Sequence, residues 1–181
     1  MFIKTQKTPN PNTLKFIPGI VILKGSPKEY HTIDNCKDSD IAKQLLKIRG
    51  VTLVFFGKDF ISVSKDSETG WNEIKTFILS NLVDYIISGK AFVKTIREND
   101  KSVIPNTKTK EKIINLLDTK IRPAVAQDGG DIVYNKFENG VLFLELHGAC
   151  RGCPSSTITL KQGVENMLKH YIPEIQSVES V

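Results

Sequence analysis

The stretch His147–Leu168, HGACRGCPSSTITLKQGVENML, decides how the second half of this chain is built. Before it, Leu142, Leu144 and Leu146 alternate with other side chains, the period of a strand with one buried face. After it, Leu160, Val164, Met167, Leu168 and Tyr171 recur at helical spacing, with Pro154 at the favoured first helical position and Pro173 as the stop. Strand hands over to helix through one tight loop, and that loop carries Cys150 and Cys153 in a Cys-x-x-Cys spacing. Cys153 falls at or beside the helix N-cap, where unpaired N–H groups and the macrodipole stabilise an anion. Arg151 adds a positive charge between the two sulfurs, and Gly148 and Gly152 let backbone N–H groups approach them. Inert core cysteines need none of these features.

Upstream, TKEKIINLLDTKIRPAVAQ places Ile113, Leu117, Ile121 and Val125 at four-residue steps, a helix that Pro123 kinks or restarts. DGG follows as a turn, so Asp128 and Asp131 are read as turn residues and not as metal ligands. DIVYNKF and VLFLELHG are strands joined through Asn139-Gly140, a hairpin turn pair. IQSVESV supplies a last strand. The expectation over 107–181 is α-β-β-α-β, a three-stranded sheet with helices on one face.

The first segment, 1–89, reads β-β-α-β-β-α. Phe2–Thr5 begins it, TPNPN breaks it, and TLKFIPG resumes as strand. DSDIAKQLLKIRG is a short helix capped by Asp38 or Ser39, with Gly50 past its end. VTLVFF and FISVS flank GKD as a hairpin. GWNEIKTFILSNLVDYIISG is a helix with Ile74, Phe77, Ile78, Leu82, Tyr85 and Ile86 as its apolar face. Residues 90–106 are polar and aperiodic and read as a linker. The fold class is therefore α+β, in two small domains.

Of 181 residues, 40% are hydrophobic and 25% charged, with a net charge of +5. Residues 1–106 hold 16 basic and 11 acidic side chains, whereas 107–181 balance at nine each. The lysines are dispersed, which favours a solvated basic surface over a nucleic-acid site. No apolar run reaches the length of a membrane span, and MFIKTQKTPNPNT lacks the pattern of a signal or transit peptide. An odd cysteine count makes no disulfide framework, so a reducing compartment is expected, the cytoplasm first, with a mature mitochondrial chain compatible.

Three chemistries suit the cysteine loop. A dithiol–disulfide oxidoreductase is the usual reading of a cytosolic Cys-x-x-Cys. The ten residues left after the helix are too few to complete a thioredoxin-like sheet, however. Zinc needs four ligands; His147 is three residues away at a strand end, and His31 and Cys36 lie in the other segment. The third reading takes the missing half-site from a second copy of the chain. Two loops across a two-fold axis present four thiolates, the ligand set of an iron–sulfur cluster.

RPAVAQDGGDI (Arg122–Ile132) and LHGACRGCPSSTITLKQGVENML (Leu146–Leu168) resemble the NifU C-terminal domain, and TPNPNTLKFIPG (Thr8–Gly19) resembles the Nfu-type N-terminal domain. The chain thus looks like an Nfu-type iron–sulfur scaffold and carrier. The resemblance implies that Cys150 and Cys153 bind a cluster, most often 4Fe–4S with 2Fe–2S also compatible, shared between two protomers. It implies receipt of the cluster from upstream assembly proteins, delivery to apo-proteins and no substrate turnover. For the amino-terminal domain it suggests partner docking or control of delivery.

Overall fold

The structure, a computed structural model, describes residues 2–94, 108–151 and 154–181, with the backbone alone for 154–161. The chain divides into two compact units, residues 1–97 and 98–181. Both are α+β.

The first unit runs β1 (Lys4–Lys7), β2 (Thr13–Ile17), β3 (Lys28–Tyr30), a 3-10 turn (Ile33–Asn35), α1 (Asp40–Leu46), β4 (Val51–Phe56), β5 (Ile61–Lys65) and α2 (Trp71–Ile87). Its strands form one antiparallel sheet in the order β1-β2-β5-β4-β3. The TPNPN break is a built turn. The Asn10 side chain accepts from Asn12 N at 3.0 Å, Asn10 O accepts from Thr13 N at 2.9 Å, and Trp71 Nε1 donates to Pro11 O at 3.0 Å. Leu14, Phe16, Val54, Phe56, Ile61 and Val63 then face α1 and α2 in one apolar core.

Ser39 is the cap of α1, its hydroxyl accepting from Ala42 N at 3.2 Å. Asp38, the other candidate, is buried instead under Tyr30 OH at 3.0 Å and the Lys28 ammonium. Phe77 does not join the core: it is 62% exposed, sitting about 100° round the helix from Ile78. The first strand begins two residues later than its apolar start suggested, and β3 has only three residues, too few to show a period.

The linker reading needs its start moved. Phe92 is buried in the first core, Tyr85 OH donates to Ala91 O at 2.8 Å, Ser39 Oγ to Phe92 O at 2.7 Å, and Lys94 N to Asp38 O at 2.7 Å. Burying a Phe contributes about 2–3 kcal/mol and each hydrogen bond about 1 kcal/mol. That roughly matches the ~1–2 kcal/mol per residue lost on ordering the backbone of 91–93. Residues 95–106 of the expected linker lie outside the described residues.

The second unit runs α3 (Lys108–Leu116), a π-helical turn (Leu117–Ile121), α4 (Arg122–Gln127), β6 (Gly130–Glu138), β7 (Val141–Gly148), α5 (Pro154–Tyr171) and β8 (Ser177–Ser180). Strand order is β6-β7-β8, antiparallel then parallel. Ile113, Leu117, Ile121 and Val125 are all buried. Four-residue steps outrun a 3.6-residue helix and would carry such a stripe off the core. The wider π-helical turn takes up the excess, and α4 restarts beyond it with Pro123 in its first turn. Leu142, Leu144 and Ile132 face this core with Val164, Leu168, Ile172 and Val178. Met167 and Tyr171, expected on the same stripe, are exposed, while Leu160 lies outside the described side chains. Asn139 and Gly140, at φ 50° and 79°, make the tight turn of the β6–β7 hairpin.

Candidate functional site

Strand β7 ends at Gly148 and α5 opens at Pro154, so the Cys-x-x-Cys loop is anchored on both sides by regular structure. Cys150 is 3% exposed and belongs to the core of the second unit. Gly152 and Cys153 lie outside the described residues, as do the side chains of Ser155 and Ser156.

What seats Cys150 is the start of β6. Gly130 pairs with Gly148 across the hairpin. A Cβ placed on Gly130 would come within 2.5 Å of Cys150 Sγ, 2.7 Å of His147 O and 3.0 Å of Cys150 N. Real carbon atoms do not approach so closely, so only glycine leaves room for the sulfur. Gly129 and Gly148 take φ of 81° and 64°, a region other residues seldom adopt, and so make two facing turns. Ala149 N donates to Gly129 O at 3.2 Å, and Arg151 N to Gly148 O at 3.1 Å, closing the loop onto the DGG turn.

The DGG turn is in turn clamped from α4. Arg122 Nε donates to Asp131 Oδ1 at 2.8 Å and Nη2 to Oδ2 at 2.7 Å, a bidentate fork, while Nη1 reaches Asp118 at 2.8 Å. The hydrogen bonds to Asp131 push the guanidinium still further above its ordinary range, so it stays charged at any working pH. Asp131 is therefore an anchor one residue beyond Gly130 and not simply a turn residue. Asp128 sits at the end of α4, as a turn residue should.

The structure turns His147 away from the core that holds Cys150. Strand alternation puts it on the face of Glu145, 3.5 Å away, opposite the core in which Cys150 is buried. Cys36 is 4% exposed in the core of the first unit, its thiol donating to Thr32 O at 3.3 Å, and burial pushes its pKa upward. His31 pairs with Glu29 at 2.6 Å. Among the described residues, no three His, Cys, Asp or Glu side chains gather into a group able to hold a metal ion. Among them too, no helix is long and apolar enough to cross a membrane.

A strand-to-helix thiol loop held by a glycine turn, following in sequence a separate five-stranded unit, has a counterpart among known families. Residues 113–179 match the NifU-like domain, and residues 3–89 match the family described as Scaffold protein Nfu/NifU N terminal. The human protein "NFU1 iron-sulfur cluster scaffold homolog, mitochondrial" is 46% identical over 189 residues, covering 100% of this chain and 72% of its own length. The chain belongs to the Nfu family. The relative of the same name from Drosophila willistoni is 45% identical, and the chain spans 64% of its length. Among solved structures, a NifU-like protein from Saccharomyces cerevisiae matches at 30% identity over 53% of this chain and 87% of that one, with a TM-score of 0.49. A Staphylococcus aureus protein matches at 27% identity over 45% and 99%, with a TM-score of 0.41. The relatives' names carry the word mitochondrial, which gives no support to a cytoplasmic placement and agrees with the mitochondrial alternative.

The strand-to-helix position of the loop that carries Cys150 is legible in the sequence. From sequence Gly130 is only part of a turn, because its reason, the sulfur beside it, is a tertiary contact. Arg122 carried no reading of its own; its nine-residue separation from Asp131 across a turn was the available clue.

Proposed function

We propose that this chain is a non-catalytic iron–sulfur cluster scaffold and carrier. Cys150 and Cys153 of each of two copies hold one cluster, 4Fe–4S in the first instance, and the dimer delivers it to apo-proteins. The observation that carries the reading is the seat of Cys150: a thiol placed on bare glycine backbone in a loop that opens a helix. That loop supplies two sulfurs where a cluster takes four, and a second copy completes the set. A ligand set split between chains releases its cargo when the copies part, which suits transfer better than permanent electron carriage. The names of the relatives support the same cargo, and they support a mitochondrial setting. Thiolates are soft donors suited to the irons of an iron–sulfur cluster. Because Cys150 is 3% exposed in the single chain, loading must turn its sulfur outward.

Anaerobic reconstitution with ferrous iron and sulfide tests this. A brown dimer with about two irons per chain is expected for 4Fe–4S, or about one for 2Fe–2S. Cys150→Ser and Cys153→Ser should each yield a colourless monomer, whereas Cys36→Ser should stay brown. Absence of iron–sulfur absorption in the unaltered chain, or loss of it in Cys36→Ser, overturns the assignment.

A further inference from the structure

The first unit has a groove of about 730 Å³ between the loop 20–28 and residues 86–94, within the range of sites that hold ligand-sized groups. Both walls are fixed. Ile22 N and Leu23 N donate to Lys58 O at 2.8 and 3.2 Å on one side. On the other, Ala91, Phe92 and Lys94 are tied down by the bonds to Tyr85, Ser39 and Asp38 already described. A groove held open this way needs little ordering to receive a partner.

Its lining combines two properties. Val21 is 54% exposed and Ile20 38% exposed at one lip, with Ile86 and Val93 opposite. Solvent-facing apolar side chains gathered in one concavity mark contact surfaces. Four lysines, Lys24, Lys28, Lys90 and Lys94, share the lining, and among the described residues no acidic side chain does. Lys28 is paired with Asp38 and Lys94 with Asp40, whereas Lys24 and Lys90 form no ion pair among the described residues. The segment around them is also the basic half of the chain, with 16 basic against 11 acidic side chains in 1–106.

We propose that this groove docks an acidic amphipathic segment of a partner protein. Its apolar side chains lie against Val21 and Ile86, and its carboxylates face Lys24 and Lys90. The positive rim steers and selects the partner, and the apolar floor retains it. The site needs no metal and uses none of the cysteine loop, so it stands or falls separately from the cluster reading.

The test is a titration of the isotope-labelled, metal-free full chain, followed by NMR. The probe is a synthetic 12-residue peptide of leucine and glutamate at helical spacing; its controls are the same peptide with lysine for glutamate and a serine-for-leucine version. Saturable shifts confined to residues 20–28 and 86–94 are expected with the acidic peptide alone. They should weaken at least tenfold in Lys24→Glu/Lys90→Glu and in Val21→Asp, all exposed positions. Unchanged dispersion elsewhere in the spectra confirms folding, and loss of binding in a Lys24→Ala/Lys90→Ala variant serves if charge reversal unfolds the unit. No shifts, shifts elsewhere, equal binding of the lysine peptide, or binding that survives the substitutions overturns the proposal. Shifts of residues 95–107 in Val21→Asp, without peptide binding in the unaltered chain, would mean that the chain occupies its own groove, and would overturn it too.

Discussion

Replacing Gly130 by alanine tests the seat of Cys150 directly. The added Cβ meets Cys150 Sγ at 2.5 Å, His147 O at 2.7 Å and Cys150 N at 3.0 Å. Two of these are backbone atoms of the β7 end and its loop, held by the ladder and by the Arg151–Gly148 bond, so neither can retreat cheaply. Overpacking of this kind costs about 1–3 kcal/mol. Expressed as a local opening equilibrium, that is an increase of about five- to 160-fold for the strand pair β6–β7. Hydrogen–deuterium exchange resolved to peptides 129–138 and 141–150 measures it, with peptides 51–65 of the first unit as internal reference. Alkylation of Cys150, followed by mass spectrometry, should quicken in parallel as the sulfur loses its shelter. The companion variant Cys150→Ala removes the sulfur contact but not the two backbone contacts. The double variant should therefore recover part of the loss, with a coupling of about 0.5–2 kcal/mol. Exchange and alkylation rates unchanged by Gly130→Ala would refute the reasoning. So would a full recovery in the double variant, which would mean that the backbone contacts count for nothing.

Other outcomes follow from the same geometry. Arg122→Gln leaves the Asp131 carboxylate, 8% exposed at its side chain, without its fork; a broken buried pair costs about 3–5 kcal/mol, reduced here to about 2 kcal/mol because Arg122 is about a third exposed. Chemical denaturation followed by far-UV circular dichroism should register that loss, and Arg122→Lys should restore less than half of it. Ser39→Ala removes both the cap to Ala42 N and the donor to Phe92 O, so the first unit should lose about 2–3 kcal/mol, read from Trp71 fluorescence in urea. Burial, then the nearby Asp38 charge, raises the pKa of the Cys36 thiol and disfavours its thiolate. Its contribution is present in full below the ordinary thiol range near ~8.5 and declines as pH rises through the higher folded value. The urea midpoint of the first unit should fall above that range, and Cys36→Ala should flatten the fall.

Sequence periodicity determined the elements, because a buried strand face and a buried helix stripe impose their repeats on local order. The alternating leucines of β7, the Asn139-Gly140 turn, Pro154 at the start of α5 and the Ser39 cap all state local preferences, and the structure keeps them. The strand-to-helix loop that carries Cys150 is legible for the same reason: a strand end and a helix start are local. Tertiary structure decided what no neighbouring residue records. Whether Phe77 or Phe92 enters the core depends on which side of α2 is already covered, and a three-residue strand exists only because β4 offers it an edge. Strict four-residue steps from Ile113 to Val125 became a π-helical turn because the sheet below demanded a continuous apolar face. Gly130 must be glycine because a sulfur twenty residues later in the chain packs on its Cα, and Asp131 is held because Arg122 folds back over it. Such contacts join residues far apart in sequence, and their strength comes from distance and exclusion of water, neither of which local order encodes.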